Sequence, residues 1–125
     1  MKYVIDSNVW IYAASGSAPA IRCLDVAVAS DWAGYSAISR LEVLGFPGLR
    51  SDDERRLEQM LGCLEEVEVH RGIIDQAISI RRQKRIKAPD AIVAATALRH
   101  GATLVTRNVD DFRGIEALQL WNPFD

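Results

Sequence analysis

The sequence predicts a three-layer α/β/α sandwich around a central parallel sheet of about five strands. Three observations lead there. Short β-rich runs alternate with helical segments along the whole chain, the order that βαβ units produce. One helical segment, Ala88 to His100, is apolar on nearly every side and therefore belongs between other layers rather than on a surface. Polar residues stand directly after several strands, at the carboxyl edge where open parallel sheets bind ligands.

The elements follow in order. Lys2 to Ile5 is a β-rich run that ends at Asp6-Ser7-Asn8, three residues that favour turns and helix caps, and Val9 to Ala14 continues as helix. Pro19 suits the first turn of a second helix reaching Ser30, with Ile21, Leu24, Ala27 and Val28 on one face. Trp32 to Ala37 reads as the second strand. Ser39 to Glu42 has the serine-to-glutamate spacing of a capping box and opens a helix that breaks between Gly45 and Gly48, around Pro47. Ser51 to Leu64 is the next helix, Val67 to His70 a third strand by alternation, and Ile73 to Arg85 a helix with an isoleucine-rich stripe and a basic tail. Pro89 starts the apolar helix and Gly101 ends it. Thr103 to Thr106 and Leu118 to Trp121 are the remaining strands, with Asp110 and Asp111 in the loop between them.

Composition narrows the function classes. With 125 residues, the chain has the length of one domain and enough to bury a core without staples. Hydrophobic residues make up 49% and charged residues 26% of the chain. That is the mixture of a folded globular protein rather than a disordered one. Cys23 and Cys63 are too few and too far apart for a disulfide framework or a zinc site, and both read as apolar core thiols in a reducing compartment. Without an apolar run of membrane-spanning length, and with an acid already at position 6, the expectation is a cytoplasmic protein without a leader or anchor. The 15 basic and 17 acidic residues give a net charge of −2, so binding to a polyanion has to come from local clustering.

Each acid has an ordinary structural reading. Asp6 suits a helix cap, Glu42 a capping box, Asp90 the favourable end of a helix dipole, and Asp110 and Asp111 a solvated loop. Their conjunction is harder to explain that way. Asp6 follows strand one, Glu42 lies on the helix after strand two, Asp90 starts the central helix, and Asn108 to Asp111 follow another strand, so the topology directs all of them to one edge. Carboxylates packed together repel, and a cation is what keeps them ionised near neutral pH. An all-oxygen set of this kind suits Mg2+ or Mn2+. His70, on a strand, and His100, in the last turn of a helix, read as structural. The run Arg81-Arg82-Gln83-Lys84-Arg85-Ile86-Lys87 leads straight to Asp90, and it reads equally as a solvated helix face or as a surface that holds phosphates. Arg40, beside Glu42, and Arg107, beside Asn108, are candidates to add to that surface. Trp10 and Tyr12 lie near Asp6, where aromatic rings serve either stacking on bases or the core.

These motifs resemble those of a known family. Val4-Ile5-Asp6-Ser7-Asn8-Val9, Ser39-Arg40-Leu41-Glu42-Val43, Lys87-Ala88-Pro89-Asp90-Ala91-Ile92-Val93-Ala94-Ala95-Thr96-Ala97 and Leu104-Val105-Thr106-Arg107-Asn108-Val109-Asp110-Asp111-Phe112 are similar, in order and spacing, to the successive motifs of PIN-domain ribonucleases, in particular the VapC-like toxins of toxin–antitoxin pairs. The likeness runs from Tyr3 to Phe124. It implies one PIN-like nuclease domain over residues 1–125, a five-stranded parallel sheet, a homodimer, a cognate antitoxin, and Mg2+- or Mn2+-dependent endonuclease action on RNA. Carried over residue by residue, it implies Asp6, Glu42 and Asp90 as the metal-binding carboxylates, with Asp6 and Asp90 direct ligands and Glu42 acting through water or on the nucleophile. Asn8 and Thr106 are implied as polar supports. Ser7 replaces the family's commonest threonine and keeps a hydroxyl. The fourth acidic position is Asn108 here, a further polar support, with Asp110 or Asp111 to supply the charge and Asp111 taken as the fourth catalytic acid. Arg81, Arg82, Lys84 and Arg85 are the expected RNA-binding residues.

Rival readings rest on fewer residues. A haloacid-dehalogenase-like phosphohydrolase shares the Asp6-x-Asn8-x-Val pattern after strand one but has a second aspartate where Asn8 stands. A receiver-like signalling domain needs an acid pair and a phosphoacceptor aspartate that are not apparent. A PIN-fold protein that only binds RNA or a partner would have no need of the intact acids.

Overall fold

The computed structural model describes residues 1–125. Strands β1 (Lys2–Ile5), β2 (Trp32–Ser36), β3 (Glu65–Val67), β4 (Thr103–Val105) and β5 (Leu120–Trp121) form one parallel sheet in the order β3-β2-β1-β4-β5. Helices α1 (Ser7–Ala14), α2 (Ala18–Val28), α3 (Ala37–Leu44), α4 (Ser51–Leu61), α5 (Arg71–Gln83), α6 (Ala88–Arg99) and the single turn α7 (Val109–Phe112) connect and cover it. No helix is long and apolar enough to cross a membrane.

The period of two in the strands sorts side chains into two cores. Tyr3 and Ile5 of β1 and Val105 of β4 point to the layer that holds Val9 and Trp10 of α1, Cys23 of α2 and Leu57 and Leu61 of α4. Val4 and Leu104, one residue away in each strand, point to the other layer, with Ile73, Ala77 and Ile80 of α5, Val93 and Ala94 of α6 and Phe112 of α7. The deep position predicted for the apolar helix holds: Ala91 and every residue from Val93 to Ala97 are buried. Alanines on α6 allow close approach to the sheet. Gly101, at φ +60°, ends the helix in the left-handed conformation. Glycine adopts that conformation without strain. Gly34 in β2 has a steric reason of another kind. A Cβ there would stand 2.6 Å from the Glu65 carbonyl oxygen and 2.8 Å from the Trp32 ring.

Several sequence expectations are corrected. The third strand is Glu65–Val67, not Val67 to His70, and pairs Gly34 with Glu65 and Ser36 with Val67. His70 lies beyond it as the cap of α5, its Nδ1 accepting from the Gly72 N–H at 3.1 Å. The capping box at Ser39 does not form. Ser36, at the end of β2, is the cap instead, its Oγ accepting from the Ile38 N–H at 3.2 Å, and Ser39 is buried one turn into α3 with its hydroxyl unpaired. Asp110 and Asp111 belong to α7 rather than to a loop. Cys63 is exposed, and only Cys23 is a core thiol, its pKa pushed up to about 12 by burial.

Candidate active site

The chain reaches the carboxyl edge of the sheet three times with polar side chains, and Asp6 is the centre of what gathers there. It extends β1 by one backbone bond, its N–H donating to the Val105 carbonyl at 2.9 Å, and it then caps α1 as its Oδ1 accepts from the Ser7 N–H at 2.8 Å. Its other oxygen, Oδ2, accepts from Thr106 Oγ1 at 2.8 Å and from Asn8 Nδ2 at 3.2 Å. Thr106, fully buried after β4, is itself held by the Asn108 N–H, which donates to Oγ1 at 3.0 Å. The cap reading and the site reading of Asp6 are compatible. One oxygen caps the helix and the other belongs to a polar network.

Glu42 comes from the exposed face of α3 and is tied to this centre by Ser7, whose hydroxyl donates to Oε1 at 2.6 Å. Ser7 therefore bonds two carboxylates at once, one through its N–H and the other through its hydroxyl. Asp90 stands in the first turn of α6, half-buried, where the helix dipole favours an acid. Asp111 projects from α7, close enough for its charge to act on Asp90. Asp110 turns to Arg113 at 3.2 Å. Of the three candidates for the fourth position, Asp111 is the one whose charge bears on Asp90. Asn108 contributes its backbone, while its side chain caps nothing.

The electrostatics follow from crowding. Burial, above all, pushes Asp6 up to about 6, and the charges of Asp90 and Glu42 add to the rise, against the Thr106 and Ser7 hydrogen bonds that lower it. Asp90 is raised as well, first by burial and then by Asp111 and Glu42, with Lys87 working the other way. No three acidic, histidine or cysteine side chains group tightly enough to enclose an ion by themselves.

Beside the acids runs a band of cations. Arg81, Lys84, Arg85 and Lys87 line a cleft of about 490 Å3 together with Asp90, Asp110 and Asp111. Arg82 faces an adjoining hollow with its neighbours in the run. Arg40 is not part of this band, because it pairs with Glu58 at 3.5 Å and Glu66 at 3.8 Å. Trp10 is core, edge to face with Tyr35 at 5.4 Å, whereas Tyr12 is exposed.

The PIN domain family model matches residues 3–118. The chain belongs to the PIN-domain family. No curated protein sequence matches this PIN domain. Among solved structures it is similar to a toxin–antitoxin complex from Klebsiella pneumoniae, with 28% identity, 98% of each chain covered and a TM-score of 0.83. It has the fold of VapBC2 from Rickettsia felis, bound there to a DNA fragment from the promoter, at 22% identity, 98% and 100% coverage and a TM-score of 0.83. VapBC-1 from nontypeable Haemophilus influenzae shares the fold at 24% identity over the full length of both chains, with a TM-score of 0.78.

Proposed function

We propose that this PIN domain is an endoribonuclease, the toxin of a toxin–antitoxin pair, which hydrolyses RNA phosphodiester bonds with Mg2+ or Mn2+ held by Asp6 and Asp90. The observation that carries the reading is that four carboxylates from four parts of the chain, Asp6, Glu42, Asp90 and Asp111, stand near enough for their charges to act on one another, beside a cleft lined by Arg81, Lys84, Arg85 and Lys87. Carboxylates repel a phosphodiester, so a site that both gathers them and flanks them with arginine and lysine suits a polyanion only when a cation lies between.

The donor set fits such an ion. It is all oxygen, without histidine or cysteine, which suits a hard divalent cation that keeps several of its waters. When bound, the ion supplies a Lewis acid that lowers the pKa of a water and offsets charge on the phosphate. Thr106, Asn8 and Ser7 fix the Asp6 carboxylate, so its orientation is set before substrate arrives. Glu42, held by the Ser7 hydroxyl, orients the attacking water and takes its proton. Asp111 adds negative charge on the far side of Asp90, and Arg81, Arg82, Lys84 and Arg85 hold the strand by its phosphates.

The same reading makes residues 1–125 one nuclease domain, working in the cytoplasm as a homodimer and held inactive by an antitoxin. A surface groove of about 280 Å3 runs between α1, α2 and α4, lined mainly by apolar residues such as Trp10, Ile21, Leu24, Val28 and Met60. It supplies room for an apolar segment of that partner.

The test is cleavage of a panel of structured RNAs by the purified protein with Mg2+, Mn2+ or chelator, the ends mapped to single nucleotides. Metal-dependent cuts at defined positions are expected. Turnover of a phosphate monoester or labelling as an acyl phosphate, without RNA cleavage, would overturn the nuclease in favour of a phosphohydrolase. RNA binding without cleavage under any metal would leave a binding protein.

A further inference from the structure

Arg107 follows Thr106, the residue that donates to Asp6, and its backbone is held from both sides. Its N–H donates to Asn8 Oδ1 at 3.1 Å, and its carbonyl accepts from Asn122 Nδ2 at 3.4 Å. Its exposed side chain lies over two rings, the guanidinium carbon 4.8 Å from the Tyr12 centroid and 5.0 Å from that of Phe124. The rings pack edge to face with 5.0 Å between centroids. Residues 12, 107 and 124 thus form one small assembly at the rim of the site.

Arg107 pairs with no carboxylate although it stands next in sequence to the acidic centre, and in this it is like the arginines of the basic run, Arg81, Arg82 and Arg85, rather than Arg40, Arg55, Arg56, Arg71 and Arg113, which all pair with acids. The two rings hold the cation by attraction to their negative faces and so compete with its collapse onto the nearby acids. Its N–H donors, a planar fork suited to phosphate, remain open to solvent. A cation already fixed in place loses less side-chain freedom on binding than one on a free stem.

Position gives this a direction. Tyr12 belongs to α1, one turn beyond Asn8, and Phe124 packs on the core of the α1, α2 and α4 layer. The basic run belongs to the opposite layer, where Ile80 and Ile86 pack with α6. The acids lie between the two, at the edge of the sheet. We propose that Arg107, seated between Tyr12 and Phe124, binds a phosphate of single-stranded RNA on the α1 side of the site, opposite the basic run. The strand then crosses the carboxyl edge with a cation on each side of the bond that is cut. This rests on the nuclease reading above and adds to it the path of the substrate.

The experiment is binding of a fluorescein-labelled single-stranded RNA oligonucleotide of mixed sequence over a range of salt, at a fixed concentration of Ca2+, a hard cation that offsets the acids' charge but is a weaker Lewis acid than Mg2+, so that cutting is slow. Three substitutions are compared with the parent. Arg107→Ala removes the whole side chain, Arg107→Met keeps an apolar stem between the rings without the charge, and Arg107→Lys keeps the charge without the fork. Arg107→Ala and Arg107→Met should weaken binding alike, roughly fivefold, and lower the salt slope by about 0.7, the share of one phosphate on a single strand. Arg107→Lys should keep the slope and recover part of the affinity. Parental affinity and slope in Arg107→Met would overturn the assignment, and a fall in melting temperature in Arg107→Ala alone would then identify Arg107 as a tether for Phe124. Absence of RNA binding by the parent would overturn the nuclease reading itself, and this proposal with it.

Discussion

Asp6→Asn tests the site through a sign that ordinary folding arguments would get wrong. Asp6 is 5% exposed and titrates at about 6 instead of 3.8, chiefly because burial disfavours its charge. A rise of about two pH units corresponds to about 3 kcal/mol. For an acid raised in this way, the folded state binds the extra proton between the two values. Its favourable contribution is therefore complete below about pH 4 and gone above about pH 6. Near neutral pH the metal-free protein carries the whole penalty. Asparagine has no charge to desolvate, and it caps a helix about as well, so the bond from the Ser7 N–H survives. What it loses is the charge on the oxygen that accepts from Thr106 and Asn8. The value of about 6 already includes the Thr106 bond, so the expectation is a gain of about 2–3 kcal/mol, or roughly 8–11 °C in melting temperature for a chain of this size, in chelator at about pH 7.5. At about pH 3.5 the carboxyl is protonated in both the folded and the unfolded parent and the gain should nearly vanish. RNA cleavage should fall by about a hundredfold or more, since a neutral amide is a poor ligand for a hard cation. A variant no more stable than the parent at neutral pH, or equally favoured at both pH values, would refute the reasoning about buried charge. Near-parental cleavage would remove Asp6 from the catalytic set.

Two further outcomes are expected. Mg2+ or Mn2+ at about 100 times its dissociation constant should stabilise the fold by about 2.7 kcal/mol, because the unfolded chain hardly binds it, and an unchanged melting temperature across a titration at matched ionic strength would count against a metal site. Replacing Arg81, Arg82, Lys84 and Arg85 with glutamine should weaken RNA binding across sequences and flatten its salt dependence by about 0.7 for each phosphate no longer held, whereas equal slopes would return the run to a solvated helix face.

The layers and the carboxyl edge were legible because they depend on patterns that no single residue controls. Alternating strands and helices dictate a parallel sheet, and an apolar helix has one place to go. The edge strand was misplaced for a local reason. Val67-Glu68-Val69-His70 alternates well, but β3 has a neighbour on one side only, so Glu65 and Glu66 stay in contact with solvent and the pairing with β2 decides the register. The capping box at Ser39 failed by competition, since β2 runs as far as Ser36 and its hydroxyl reaches the helix N–H first. That shift has a consequence for the site: freed from a capping box, Glu42 is available to the Ser7 hydroxyl. The acids were found individually from the positions after strands, and their mutual distances depended on the fold. Arg107 was legible as a cation that adds to the phosphate-holding surface, but its seat was not. Its two rings come from opposite ends of the chain, and no local pattern links them.

Thr106 shows why the support around Asp6 is as much a part of the site as the acid itself. Its hydroxyl donates to the Asp6 carboxylate at 2.8 Å and accepts the Asn108 N–H at 3.0 Å, all within a fully buried side chain. Thr106→Val keeps the shape and removes both bonds, together with the longer one that Thr106 Oγ1 accepts from Asn8 Nδ2 at 3.4 Å. The part-buried Asn108 N–H loses its acceptor, and the Asp6 carboxylate loses one of the two hydrogen bonds that lower its pKa, so that pKa should rise further. The expected cost is about 1–2 kcal/mol near neutral pH, and less at about pH 4.5, where Asp6 is neutral and the bond is no longer charge-assisted. In an Asp6→Asn background the cost should shrink for the same reason, a coupling that a double-mutant cycle reads directly. Asp6→Asn and Thr106→Val therefore move stability in opposite directions at neutral pH while both lower cleavage. The stability changes follow from burial and hydrogen bonding alone and would accompany a merely structural carboxylate too, so it is the loss of cleavage in both variants that assigns Asp6 to the catalytic set. If Thr106→Val leaves stability unchanged at neutral pH, the charge on Asp6 is not held by this hydroxyl and the network around it has been misread.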